Sequence, residues 1–372
     1  MKIAVVGGGP AGLYFAYLWK RKHPAAEILL FEQNAPDATF GFGVVFSDRA
    51  LDFLRADDSE TVEAITPHME HWRDMTLVHR GERVTIDGVG FSAIGRLELL
   101  NLLQARAASV GVKPVFHRRI ESPEQLRGFD LVVAADGVNS SLRSFYPQFQ
   151  TQTDLFRNKF IWFGTGKIFD TLTQTFVECE YGTLNAHHYR YAPDKSTFIV
   201  ECDGETFERA GFGKMSPEES RVLCERIFAD TLGRHPLISN KSVWRDFPWI
   251  WNERWAHENI VLAGDALHTA HFSIGSGTRL ALEDSIALVK ALESETGVSS
   301  ALKRYEDERK PIVGKIVNGS KTSAAWYENF PEHMKQAPLD FAMSYITRSG
   351  RIDDARLREM SPKFMARYDA GA

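Results

Sequence analysis

An apolar run, Ile3-Ala-Val-Val6, stops at Gly7-x-Gly9-x-x-Gly12 and is followed by a helix-like stretch, Ala11 to Lys20, and a second run, Ile28-Leu-Leu-Phe31. Few folds accommodate that order. Short continuous apolar runs mark parallel strands covered on both faces, and parallel strands need a crossover helix between them. The chain therefore opens with a β-α-β unit. In this setting Gly7 permits the tight turn, Gly9 lets the backbone approach a pyrophosphate, and Gly12 allows the helix to pack closely; Pro10 and Ala11 stand between them at the helix N-terminus. Glu32 follows Gly12 by 20 residues, at the end of the second strand. It can bind both hydroxyls of an adenosine ribose and would repel a 2′-phosphate.

A second segment far downstream, Asn259-Ile-Val-Leu-Ala-Gly264-Asp265, repeats the strand-then-turn pattern and runs on through Ala266, His268 and His271 to Gly275-Ser276-Gly277. An acidic residue at Asp265 can hold the ribityl chain of FAD, while the N–H groups of Gly275, Ser276 and Gly277 face the flavin and its pyrophosphate. A buried helix-capping aspartate is the other reading of Asp265, and the two are compatible. Leu282, Ile286 and Val289 recur at helical spacing after Gly277, so this helix points its positive end at the same place. The two glycine segments together indicate flavin instead of nicotinamide as the resident dinucleotide.

The expected fold class is α/β: a Rossmann-like FAD-binding domain with a β-α-β start, an inserted antiparallel-sheet substrate domain, and a helical C-terminal part. The FAD-binding domain is expected over 1–70, 90–155 and 255–300, the sheet domain over 71–89 and 156–254, and the helical segment over 301–372. Strands are read at Phe160–Phe163, Thr175–Glu178, Ala186–Tyr191 and Ser196–Glu201. Helices are read at Arg96–Ala108, at Pro217–Leu232 behind the Ser216 cap, and over Tyr305–Tyr327 and Pro338–Ser349. Thr39 to Phe91 is irregular until alternation returns near Met75.

The 372 residues carry 44 Lys+Arg against 49 Asp+Glu, a net charge of −5, which gives no global reason to expect nucleic acid or a membrane surface. Cys179, Cys202 and Cys224 are odd in number and lack metal-ligand spacing, as suits reduced thiols in the cytoplasm. The first apolar run lacks a basic leader, and no run is long enough to span a membrane. His268 and His271 lack a completing carboxylate or cysteine, so no metal is assigned.

Arg96, at the start of its helix, can reach a pyrophosphate or be a surface arginine. Asp136-Gly137 with Arg143 ends another buried strand, Asp130 to Ala135, and is either a turn or a cofactor contact. His187 and Tyr189 alternate on one face of a strand and His188 and Arg190 on the other. A histidine there is either a satisfied structural residue or a catalyst.

Three signatures appear in order: Gly7-x-Gly9-x-x-Gly12, Asp136-Gly137 with Ser140 and Arg143, and Gly264-Asp265 with His268. With them the chain resembles the class A flavoprotein aromatic hydroxylases, the para-hydroxybenzoate hydroxylase family, through nearly its whole length. The resemblance implies that Arg96, Asp136 and Asp265 contact FAD. Gly41-Phe-Gly43-Val-Val-Phe-Ser-Asp48, Ile161-Trp-Phe-Gly-Thr165, Ser196-Thr-Phe-Ile-Val-Glu201 and Ala270-His-Phe-Ser-Ile-Gly-Ser-Gly277-Thr are similar to the branch acting on aroyl-CoA thioesters. That branch comprises the salicylyl-CoA 5-hydroxylases and the monooxygenase half of the 2-aminobenzoyl-CoA monooxygenase/reductases. Violacein-pathway tryptophan hydroxylases share less of it. The family's usual proline after the Gly-Asp-Ala-x-His turn is replaced near His271-Phe272, and an Old Yellow Enzyme-like reductase domain does not follow, so a lone hydroxylase is expected.

The resemblance implies that FAD, reduced by NADH or NADPH with NADH favoured, reacts with O₂ to a C4a-hydroperoxide that hydroxylates an electron-rich ring. The expected substrate is salicylyl-CoA, attacked at C5. A 2-aminobenzoyl-CoA or a free aromatic such as tryptophan is the alternative. His187 or Tyr189 would hydrogen-bond the group that activates the ring, an assignment by analogy of sheet position. A CoA tail would need basic groups, and Arg49, Arg73, Arg80 and Arg83 are candidates, each equally readable as a surface arginine. A flavin oxidase, or a non-catalytic escort using the same fold, are the readings from other classes.

Overall fold

A computed structural model describes residues 1–47 and 51–371; Asp48 and Arg49, singled out above, lie outside them. Five strands form one sheet in the order Ala256–His257, Ile260–Leu262, Leu131–Ala134, Lys2–Val6 and Glu27–Phe31, parallel except at the first join. Ile3, Ala4, Val5 and the whole of Leu131–Ala134 are buried, because helices and loops cover both faces. Helix Pro10–Lys22 makes the crossover and packs beside helix Gly277–Ser294, where the Ser285 hydroxyl donates to the Ala11 carbonyl at 2.9 Å. A Cβ at Gly12 would stand 2.0 Å from the Gly7 carbonyl oxygen, and one at Gly7 (φ 110°) 2.1 Å from that of Ala135. These two glycines answer to backbone packing.

The second sheet has eight strands. Seven follow in the order Leu237–Ser239, Thr151–Thr165, Lys195–Cys202, Gly182–Ala192, Leu172–Cys179, Met75–His79 and Glu82–Ile86, and Arg245–Asn252 also pairs with Thr151–Thr165. All joins are antiparallel except one, where Leu172–Thr175 runs parallel to Met75–Val78. Trp162, Ile199, His187 and Gln174 are partners in register across four strands, so the pleat brings them to one face in a single row. Phe163, Ala186 and Phe198 alternate to the other face. There they are buried under helices Gly204–Ala210 and Pro217–Ile227. The helix expected to reach Leu232 ends at Ile227, and a separate turn, Ala229–Leu232, follows Phe228.

A third sheet, in the order Gly43–Ser47, Phe91–Gly95 and Glu70–Trp72, occupies the stretch that reads as irregular in sequence. It sets where helix Arg96–Ser109 begins: Gly95 is the N-cap and pairs with Gly43, and the Arg96 N–H donates to the Phe42 carbonyl at 2.7 Å. The C-terminal part is helical. Helix Val298–Tyr327 starts earlier than expected, and with helices Phe330–His333 and Pro338–Thr347 it packs Trp326, Phe330, Phe341 and Tyr345 around Phe176 of the large sheet. Among the described residues no helix is long and apolar enough to cross a membrane.

Gly12→Ala would drive its Cβ into the Gly7 carbonyl. The apoprotein is expected to lose about 3 kcal/mol, seen as a lower urea midpoint at an unchanged m-value.

Candidate active site

A cavity of about 2060 Å³ lies between the five-stranded and eight-stranded sheets. Gly9, Pro10, Ala11, Arg96, Asp265, Gly275, Ser276 and Gly277 line one end of it, and His187 and Tyr189 line the wall formed by the large sheet. Gly7, Gly12 and Glu32 stand behind the wall. The Glu32 carboxylate accepts from the Gly8 N–H at 2.7 Å and from the Asn34 backbone and side-chain N–H groups at 2.8 Å each. A carboxylate has about four lone-pair directions, so one is left for a ribose hydroxyl.

The Asp136 carboxylate, expected as a cofactor contact, accepts from the Ser140 hydroxyl and from the Leu142 N–H at 3.2 Å, beside the Ser140 cap of the short helix Ser141–Phe145. Its neighbours Gly137, Val138 and Asn139 face the cavity instead.

Three features of this end look outward to a ligand. A Cβ at Gly9 would meet nothing within 4 Å, so its missing side chain answers to no protein contact. Helices Pro10–Lys22 and Gly277–Ser294 both begin at the cavity without a side-chain cap, leaving their first N–H groups free for an anion. Finally, Arg96 and Asp265 face each other's field across the cavity, and among the described residues neither side chain has a hydrogen-bond or ion-pair partner. Asp265 is open to the cavity yet walled by protein. Burial pushes its carboxyl upward and Arg96 opposes that; burial likewise lowers Arg96, and Asp265 opposes it. An open glycine, two anion-seeking helix ends, a cation and an acceptor for hydroxyls fit a dinucleotide with a pyrophosphate and a polyol chain.

The Asp265 turn is held from behind by buried charge. Asp284, on helix Gly277–Ser294, accepts from the Gly264 N–H at 3.2 Å, lies 2.9 Å from His268 Nε2, and accepts from Arg309 Nε at 3.0 Å. Burial pushes the Asp284 carboxyl up, but His268 and Arg309 outweigh it and hold the group below the usual carboxylate range. Arg143 adds a second tie. Its guanidinium donates to the Val138 carbonyl at 2.6 Å and the Ala266 carbonyl at 2.9 Å, joining the Asp136 and Asp265 turns.

His187 and Tyr189 face the cavity with their polar atoms already engaged. His187 Nε2 is 3.0 Å from the Glu201 carboxylate, and its Nδ1 is 3.0 Å from the Gln174 amide nitrogen. Those partners fix the tautomer: Nε2–H donates to Glu201, and Nδ1 accepts from Gln174. Burial pushes His187 down, so the ring is neutral. Tyr327 continues the chain by donating to Gln174 Oε1 at 3.2 Å, and its ring stacks on His187 at 5.0 Å. The Tyr189 hydroxyl donates to the Gly43 carbonyl at 3.0 Å, and burial raises its pKa far above the ordinary tyrosine value. Within the protein both side chains thus spend their N–H and O–H donors on internal acceptors. His188 points to the opposite face, with Nε2 2.9 Å from the Thr175 hydroxyl between Phe169 and Phe198. Arg73, Arg80 and Arg83 are exposed and off the cavity wall. Among the described residues no cluster of His, Cys, Asp and Glu could hold a metal.

The site is that of a flavoprotein. A model of the FAD binding domain family matches residues 110–320. The chain is 42% identical, over 99% of its length and 73% of the relative's, to a salicyloyl-CoA 5-hydroxylase of Streptomyces sp.. It is 37% identical, over 95% of both chains, to the 3-hydroxy-4-methyl-anthranilyl-[aryl-carrier protein] 5-monooxygenase of Streptosporangium sibiricum. In fold it matches the crystal structure of 2-methyl-3-hydroxypyridine-5-carboxylic acid oxygenase with a TM-score of 0.72 at 16% identity, covering 96% of this chain and 95% of that one. The chain belongs to the FAD-dependent aromatic monooxygenases.

Sequence reasoning missed Asp284 and Arg309. Their signal was present: each interrupts the buried stripe of its helix, Asp284 between Leu280 and Leu288 and Arg309 between Tyr305 and Val313. Asp284→Asn should cost about 3–5 kcal/mol at neutral pH by leaving buried Arg309 with only Glu283, which Arg279 shares. A depressed carboxyl contributes stability above its unfolded value and loses it as pH falls, so the gap between variant and wild type should narrow in urea titrations below pH 3.8. Asp265→Ala and Arg96→Ala should each weaken FAD binding about tenfold to a hundredfold, measured by titrating the apoprotein with FAD.

Proposed function

We propose that this monooxygenase hydroxylates salicylyl-CoA at C5, para to the ring hydroxyl, with NADH as the reductant. The observation that carries the reading is the size of the cavity: 2060 Å³ exceeds the roughly 300–1,000 Å³ of a pocket for one small ligand. It has room for FAD and for a substrate much longer than a single ring. The 42% identity to a salicyloyl-CoA 5-hydroxylase supports the same choice.

Bound FAD supplies the redox chemistry, taking electrons from the nicotinamide nucleotide and activating O₂. The protein supplies placement and a dry wall. Trp162, Ile199 and Phe272 offer an apolar seat for the aromatic ring beside His187 and Gln174 of the same row. Glu201 holds the Nε2–H of His187, so Nδ1 remains an acceptor. A ring hydroxyl that displaces the Gln174 amide from Nδ1 would donate to it and gain electron density, which activates the carbon para to it. Tyr189 keeps the Gly43 strand, and through it Arg96, in register with the large sheet.

The test is to screen salicylyl-CoA, 2-aminobenzoyl-CoA and tryptophan for stimulated NADH oxidation, with products weighed by mass spectrometry. A gain of one oxygen on salicylyl-CoA is expected; stimulation by tryptophan alone would reject the thioester reading. His187→Ala should keep FAD and uncouple NADH oxidation from hydroxylation, whereas unchanged coupling would remove His187 from the mechanism. Because protonation abolishes the acceptor and burial lowers the His187 pKa, the acid limb of coupling should lie below pH 6.5.

A further inference from the structure

The cavity does not end at the flavin site. Past Ile274 it continues between the Gly88–Phe91 turn and the segment from Tyr345 to Met360, where Val89, Phe91, Ile346 and Ile352 make an apolar passage. Arg279, Arg351 and Arg356 also line it. Arg279 pairs with Glu283 at 2.7 Å, a carboxylate it shares with Arg309. Arg351 and Arg356 are different: among the described residues neither guanidinium has a hydrogen-bond or ion-pair partner. Two carboxylates, Asp353 and Glu359, line the cavity too, but Asp353 is occupied as the cap of helix Asp354–Met360, accepting from the Arg356 N–H at 2.8 Å.

Arg351 is also placed by a feature that is costly for its own helix. Gly319 lies buried in the middle of helix Val298–Tyr327, where glycine is worse than alanine by about 1 kcal/mol. A Cβ there would lie 3.0 Å from Arg351 Cδ and 3.5 Å from its Cγ, so the missing side chain makes the groove in which the arginine stem lies. Burial, then the neighbouring charges of Arg279 and Arg356, lower the Arg351 pKa. Arg351 and Arg356 thus stand near one another, and among the described residues no carboxylate pairs directly with either, as in a site that receives its anion from outside.

We propose that Arg351 and Arg356 bind the phosphate groups of the CoA moiety of the substrate, whose pantetheine arm lies along the Val89–Phe91–Ile346–Ile352 passage with the aroyl group at the flavin end. The proposal rests on the thioester reading of the function, and it assigns the phosphate contacts to residues far from Arg73, Arg80 and Arg83.

The experiment compares wild-type holoenzyme with Arg351→Gln, Arg356→Gln, the double variant and Arg358→Gln, an exposed arginine ion-paired to Asp354 and Asp369. Two measurements are made: steady-state kinetics with salicylyl-CoA and with the phosphate-free salicyloyl N-acetylcysteamine thioester, and calorimetric binding of free CoA. Each cavity variant should raise KM for salicylyl-CoA about tenfold, with little change for the phosphate-free thioester, and should weaken CoA binding by the same factor. Arg358→Gln should change neither. An unchanged KM in the double variant, or an equal rise with the phosphate-free thioester, overturns the site while leaving the substrate reading intact. If free CoA binds and the double variant loses it, yet salicylyl-CoA is not hydroxylated, the site stands and the substrate reading falls. Turnover of an aroyl group on a carrier protein, with no affinity for free CoA, overturns the CoA assignment.

Discussion

A single buried carboxylate, Asp284, carries the geometry of the flavin end. It has three neighbours: the Gly264 N–H and His268 from the glycine turn, and Arg309 from helix Val298–Tyr327. Buried ions are costly unless fully satisfied, and when they are, the arrangement admits few alternatives. Gly264 takes φ 60° here, close against Ala11, and its successor Asp265 emerges into the cavity. Helix Gly277–Ser294, helix Val298–Tyr327 and the glycine turn therefore meet at one oxygen pair. Removing that anion would loosen the placement of the cofactor before it loosened either sheet.

The large sheet solves a different problem. One face must pack against helices and the other must present a wall to a ligand, so alternate residues serve alternate masters. On the packed face His188 is sandwiched between phenylalanines and bonded only to Thr175. On the cavity face, one residue away, His187 is tuned by a carboxylate behind it and an amide beside it. The same side chain is bonded to a single hydroxyl in one setting and held in one tautomer by two partners in the other because of what stands around it.

The parts legible in sequence are those whose cause is local. Gly12 is fixed by contacts a few residues away, the Ser216 cap by Glu219, and the strands by alternation. The three-stranded sheet was hidden because its members are short, one begins at a glycine, and Glu70–Trp72 has only three residues. The partners of His187 were hidden for another reason: Gln174, Glu201 and Tyr327 reach it only through sheet register and a distant helix. Arg351 precedes, and Arg356 lies within, the short helix Asp354–Met360, whose few residues carry no long apolar pattern to mark them. Asp284 and Arg309 fall between, visible only when two charged interruptions of apolar stripes are read as a pair.

Arg143 reaches across 123 residues of sequence to the Ala266 carbonyl while also holding Val138. The strands that precede these two carbonyls, Leu131–Ala134 and Ile260–Leu262, are direct neighbours in the parallel sheet. Most of the ligand-facing large sheet is threaded between those two pinned points. Whatever is inserted there, the ends it hangs from stay at a fixed spacing, and the nucleotide fold does not register the change. A lineage carrying this clamp can remodel the wall that meets the substrate, residue by residue or strand by strand, without relearning how to hold its cofactor.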